Sequence, residues 1–156
     1  MKEIRNDNYG LYNDKLYRIS IVHNDSVRLC SNYPSDVNNG FICNDSEYVI
    51  KKYGFVCIKE VSKSEITEAY EIRTHAVYKG VGATIIGSSK ENHIGLRTCC
   101  LDGENKADFL RKVNNAEFEY CEREQGGYDI YGKDVSLDDP DLQLIEKRTE
   151  IDINKL

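Results

Sequence analysis

Three histidines, six cysteines and a run of carboxylates are the residues of this 156-residue chain whose types could do chemistry. His23 falls in the polar turn "HNDS" and His93 ends the loop "SSKENH". Converging with a carboxylate in one cleft, they would supply a general base and its orienting partner. The simpler reading is a pair of solvated loop histidines. His75, in "RTHAVY", reads as structural or solvated. "GVGATIIG" (80–87) has Ile85 where a phosphate-binding loop needs its third glycine, and no helix start follows to receive an anion. The cysteines (Cys30, Cys43, Cys57, Cys99, Cys100, Cys121) include no CxxC, and the vicinal Cys99-Cys100 pair has no histidine at metal-ligand spacing. Cys43 and Cys57 lie in strand-like runs, where a reduced thiol behaves as a small hydrophobe. All six are expected to be reduced, with no metal or cofactor.

The carboxylates concentrate late in the chain. Glu117, Glu119, Glu122 and Glu124 flank Tyr120, and Tyr128, Tyr131 and Asp134 follow in the same hairpin. Asp138, Asp139 and Asp141 crowd an apparent helix start. Paired carboxylates can do acid–base work or hold a cation. No calcium-loop spacing is present, and the aspartates are explained by capping and the helix dipole. Residues 1–75 hold 10 Lys and Arg against 11 Asp and Glu, while residues 76–156 hold 11 against 16. Such an acidic half argues against the basic face that nucleic acid requires of a direct partner. Joined to the tyrosines it suits a Lys/Arg-rich protein partner, through steering and aromatic anchors. The residues from Glu117 to Asp141 named above are therefore the expected partner-binding set. The alternative is a solubilising charge face beside the aromatics of a core edge.

The elements that must position these residues repeat. "YNDKLYRISIVHNDSVRL" (12–29) and "YKGVGATIIGSSKENHIGL" (78–96) share a cadence: Tyr12 falls on Tyr78, Ile19 on Ile85 and Leu29 on Leu96. "NGF" (39–41) then falls on "ADF" (107–109), and "EIRT" (71–74) on "EKRT" (146–149). Tyr17, Ile19 and Ile21 alternate with Arg18 and Ser20, the pattern of a half-buried strand. "EYVIKKYGFVCIKEV" predicts a hairpin turning near Tyr53-Gly54. "EFEYCEREQGGYDIYGKDV" predicts another turning at Gly126-Gly127. Each unit is expected to close on a short helix, near 64–72 after the Ser62…Glu65 capping box and near 139–148 after Ser136 and Pro140. The expectation is an α+β, mostly antiparallel protein. It would be an internal duplication of two small SH3-like hairpin/hairpin/helix units, 1–75 and 76–156, packed together, or a single sheet built from both.

On the cadence "LYRISIV…VRL…NGF…VCIKEVSKSEI" and its weaker second copy, the chain resembles the small acidic immunity proteins of bacterial polymorphic toxins, including contact-dependent inhibition systems. The resemblance implies a non-enzymatic cytoplasmic antitoxin that blocks the active site of a cognate toxin, commonly a basic nuclease. It carries over no individual residues. The charged start "MKEIRNDNYG" and the want of any long apolar run agree with an expected cytoplasmic address and no membrane span. A non-enzymatic SH3-like adaptor for a protein or peptide is the second expectation.

Overall fold

The computed structural model describes residues 3–44, 46–53 and 56–156, with the side chains of residues 21, 22, 49 and 53 outside that description. The pattern is mostly antiparallel β with short helices, the expected α+β class. The chain divides into two compact units: unit I is Asn6–Arg73 with Arg148–Leu156, and unit II is Met1–Arg5 with Thr74–Lys147.

In unit I, β1 (Asp7–Tyr12), β2 (Lys15–His23), β3 (Ser26–Ser31), β4 (Ile42–Cys43) and β5 (Cys57–Ser62) join the start of β6 (Glu68–Tyr78). Their order is β4-β5-β3-β2-β1-β6. Asn13 and Asp14 turn β1 into β2 with φ of 47° and 63°, the twist-matched two-residue turn that Asn and Asp tolerate. The alternation then sends Tyr17, Ile19, Val27 and Leu29 inward against Phe41, Cys57, Val61 and Ile66. Ile21, expected to point with Tyr17 and Ile19, has a side chain outside the described set.

Unit II continues β6 with β7 (Val81–Ile86), β8 (His93–Thr98), β9 (Glu119–Arg123) and β10 (Asp129–Ser136), in the order β6-β7-β8-β10-β9. The helix α2 (Lys106–Asn115) lies between β8 and β9 in the chain. Lys79 and Gly80 repeat the positive-φ turn, at 49° and 83°. The expected Gly126-Gly127 hairpin is present, with Gly127 at φ 89° and its amide donating to the Glu124 carbonyl at 2.9 Å. Asn105 caps α2 by accepting the Asp108 amide at 3.1 Å. The spacing of Phe109, Val113 and Ala116 then lays one helical face on Leu96, Ile94, Val135 and Tyr78.

Four sequence expectations are corrected. The Ser62…Glu65 capping box forms, with Glu65 accepting the Ser62 amide at 2.9 Å, but it opens only a single 3-10 turn, Lys63–Glu65. The residues after it, with Ala69, Ile72, Thr74, Ala76 and Tyr78 buried on alternate or near-alternate positions, form β6. The two-residue period over eleven residues outweighs one capping signal. Residues 142–150 likewise form β11 (Leu142–Glu150), paired with β6, and Asp138–Asp141 make the turn before it. Glu47–Tyr53 is the helix α1 rather than a strand, with Glu47 in its first turn and Lys51 and Lys52 in its last, matching the helix dipole. Gly54, at the turn expected there, lies outside the described residues. Finally, Cys43 and Cys57 are disulfide-bonded. Their two strands pair with these residues directly opposite one another, which the one-dimensional reading of isolated thiols missed.

Candidate functional site

Directly opposed residues of an antiparallel pair share a face, so strand registers define the surface that unit II presents. Thr84 of β7 opposes Arg97 of β8, Arg97 opposes Gly132 of β10, and Gly132 opposes Glu119 of β9. This row runs across the sheet on the face away from Leu96 and its core. Gly132 is what lets Arg97 lie flat there: a Cβ at that position would stand 2.8 Å from the Cys121 Sγ and press into the Arg97 guanidinium. Arg97 donates to the Leu96 carbonyl at 3.1 Å, and among the described residues it has no carboxylate partner.

Hollows open on both sides of this arginine. One, of about 700 Å³, is lined by His75, Thr84, Ile86, Arg97, Thr98, Cys99, Leu101, Glu122, Glu124 and Ile130, with Gly82 and Ala83. The other, of about 360 Å³, is lined by Arg97, Glu117, Glu119, Tyr120, Cys121, Gly132, Lys133 and Asp134. Burial, then the charges of Glu124 and Glu104, push the Cys99 thiol above its ordinary pKa. It therefore stays protonated and is a poor nucleophile or metal ligand. Thr84 and Thr98 donate to the Arg97 and Gly82 carbonyls at 3.2 and 2.9 Å, so their hydroxyl protons are already committed.

The expected partner-binding residues thus fall into four places. Glu122 and Glu124 line the larger hollow, while Glu117, Glu119, Tyr120 and Asp134 line the smaller. Tyr128 and Tyr131 line a third hollow beside Phe109 and Arg123, with the Tyr128 hydroxyl donating to Asp102 at 3.1 Å. Tyr131 packs edge-on between Phe109 and Tyr120, both rings 5.8 Å away. Asp138, Asp139 and Asp141 belong to the turn before β11. Asn92 donates to Asp138 at 2.6 Å, and Tyr78 donates to Asp139 at 3.1 Å. The Asp141 amide also donates to Asp139, and this bond above all holds the Asp139 carboxyl below its usual range. The Asp138 and Asp139 carboxylates are occupied with the turn, to which Asp141 contributes its backbone amide.

Sequence reasoning missed one heavily bonded carboxylate, Asp36 of unit I. It sits in the 3-10 helix Pro34–Asn39 and is 1% exposed. Ser31 donates to it, as do Asn39 at 2.9 Å, Lys15 at 3.1 Å and Tyr17 at 3.1 Å. Burial alone would raise its pKa, but the four donors outweigh burial and hold it at about 2. Burial, then the bond to this carboxylate, pushes Tyr17 up to about 12. A carboxylate so acidic is a weak base, and the cluster fastens the 3-10 helix to β2 and β3. Only the Pro34 start signal and a nearby Asp hinted at it in one dimension.

His23 ends β2 in unit I and His93 opens β8 in unit II, where its Nδ1 lies 2.8 Å from the Glu91 carbonyl oxygen. Among the described residues no group of three or more His, Cys, Asp or Glu could hold a metal ion, and no helix is long and apolar enough to cross a membrane. Comparison with curated proteins and with solved structures yields no match. A family model, however, matches residues 4–154, nearly the whole span, and the chain belongs to the family described as uncharacterised conserved protein UCP033725.

Proposed function

We propose that this chain is an immunity protein: a non-enzymatic cytoplasmic antitoxin that captures a cognate basic toxin, a nuclease being the best fit, and covers its active site. The observation that carries this reading is the carboxylate set Glu117, Glu119, Glu122, Glu124 and Asp134, distributed over the two hollows that flank Arg97. A site that holds phosphates must be basic, and carboxylates on a rigid sheet can occupy that field. Tyr120, 56% exposed on the edge strand β9 and packed against Tyr131, supplies an aromatic anchor at the margin of that surface.

The strand orders support an internal duplication. β4-β5-β3-β2-β1 in unit I and β9-β10-β8-β7-β6 in unit II correspond position by position, and the sixth strand pairs with the first in each case, β6 with β1 and β11 with β6. Two SH3-like copies of one ancestral unit, the second being the more acidic, is the evolutionary form of this proposal. The disulfide bears on the compartment, because reducing cytoplasm rarely keeps such bonds. In a cytoplasmic antitoxin the Cys43–Cys57 pair is expected in its dithiol form.

A second reading, a peptide- or protein-binding adaptor, is favoured by exposed apolar residues in unit I. Ile42 is 77% and Tyr48 68% exposed.

The test is a pull-down with the neighbouring reading frame co-expressed. The expected result is a one-to-one complex with a basic protein that is lethal when produced alone. Charge reversal at Glu119, Glu122 and Glu124 is expected to abolish it, while reversals on unit I leave it intact. The opposite pattern would assign binding to unit I, and recovery of no such partner would leave the adaptor as the better account.

A further inference from the structure

The larger hollow in unit II draws its lining from every strand of the β6-β7-β8-β10-β9 sheet. His75 comes from β6, Thr84 from β7, Arg97 from β8, Ile130 from β10 and Glu122 from β9. It therefore crosses the strands. Four strand spacings cover about 19 Å, the reach of about six residues of extended chain. Its chemistry changes along that path. Arg97 stands in the middle with only a carbonyl contact, Ile130 follows, and Glu122 and Glu124 close the far end. Leu101, 59% exposed, adds apolar wall. A purely basic ligand would meet repulsion at Arg97, and a purely acidic one at the glutamates.

We propose that this groove takes an extended segment of the protein partner with a fixed charge order: a carboxylate seated on Arg97, apolar side chains beyond it, and Lys or Arg at Glu122 and Glu124. The inference rests on the reading of the acidic face of unit II as the partner-binding surface, and it names what that face selects. Arg97 is the specificity-determining residue. It admits a basic partner only where an isolated carboxylate lies among that partner's cations, and Gly132 keeps the guanidinium level with the sheet so that such a carboxylate can reach it.

The experiment uses two capped hexapeptides, acetyl-Asp-Val-Thr-Val-Lys-Lys-amide and its Asn-for-Asp twin, titrated at low salt into the isotope-labelled full chain. The Asp peptide is expected to shift the amide resonances of Thr84, Arg97, Thr98 and Ile130 and to bind about five-fold more tightly than its twin. Arg97→Met should erase that preference, and Arg97→Lys should keep part of it. Equal affinity of the twins for the unsubstituted chain overturns the proposal, as does an absence of shifts in those four residues at millimolar peptide. If the full chain still captures a basic toxin through Glu119, Glu122 and Glu124 while the twins bind alike, the groove assignment fails and the partner reading survives. Loss of toxin capture as well would remove both.

Discussion

At the scale of single residues, Asp36 and Glu117 show how one dimension hides energetic weight. The Asp36 carboxyl is held at about 2 against an ordinary 3.8. A depressed folded pKa stabilises the fold above the unfolded value and is lost as pH falls through the folded one. The contribution, about 2 kcal/mol, is thus complete above pH 3.8 and vanishes on descending to pH 2. Asp36→Asn should remove this acid-side slope in urea midpoints measured from pH 2 to pH 5, and an unchanged slope would sink the assignment. Glu117 follows α2 with φ 61°, and the next amide, that of Phe118, donates back to the Val113 carbonyl at 2.9 Å. That is the helix stop that glycine fills best. Its ion pair with Lys133, at 3.8 Å and with the Glu117 side chain 78% exposed, contributes little. Glu117→Gly should therefore stabilise unit II by about 0.5–1 kcal/mol, read as a higher melting temperature, even though it deletes a carboxylate from the candidate face. A lower melting temperature would mean that the ion pair outweighs the backbone.

At the scale of elements, the strands whose side chains alternate were legible and the connections between them were not. "LYRISIV" and "EFEYCEREQGGYDIYGKDV" became β2 and the β9–β10 hairpin because alternation and Gly-Gly turn chemistry are local signals. The period of α2 was also present, in Phe109, Val113 and Ala116, but the match of "ADF" to "NGF" masked it behind the repeat. The capping box after β5 misled because a cap specifies where a helix can start and leaves its length to the residues downstream, whose alternation here favours a strand. Cysteine pairing was illegible for a different reason. It depends on the register of β4 against β5, which only the folded sheet defines. The Cys43–Cys57 bond closes a segment with a sequence separation of 14 that contains α1. By loop-closure entropy it should contribute about 3 kcal/mol. Denaturant midpoints with and without reductant should differ accordingly, and Cys43→Ser should make the chain indifferent to reductant. Identical midpoints for the intact chain would show that α1 and β4 are held by their packing alone.

At the scale of the whole molecule, a net charge of −6 acts on encounter before any contact forms. Of the expected partner-binding residues, Glu119, Glu122 and Glu124 reach the hollows, whereas the carboxylates of Asp138 and Asp139 are spent on a turn. Sequence charge counting could not separate the two groups, because both look like dense acid, and only the Asn92, Tyr78 and Asp141 donors distinguish them. Their contributions to association should differ in kind. Glu119, Glu122 and Glu124 are exposed, so neutralising all three to Gln should slow association with a basic partner roughly ten-fold at low salt. The effect should fade as the screening length shrinks from about 30 Å at 0.01 M salt to about 3 Å at 1 M. Dissociation should change far less, because rim charges steer more than they hold. Asp139→Ala instead removes the acceptor of the Tyr78 and Asp141 donors, so it should lower thermal stability with little effect on the association rate beyond the general loss of charge. Stopped-flow association and thermal melting of the two variants separate these outcomes. An association rate more sensitive to Asp139 than to the glutamate triple would move the contact surface from the sheet face to the turn before β11.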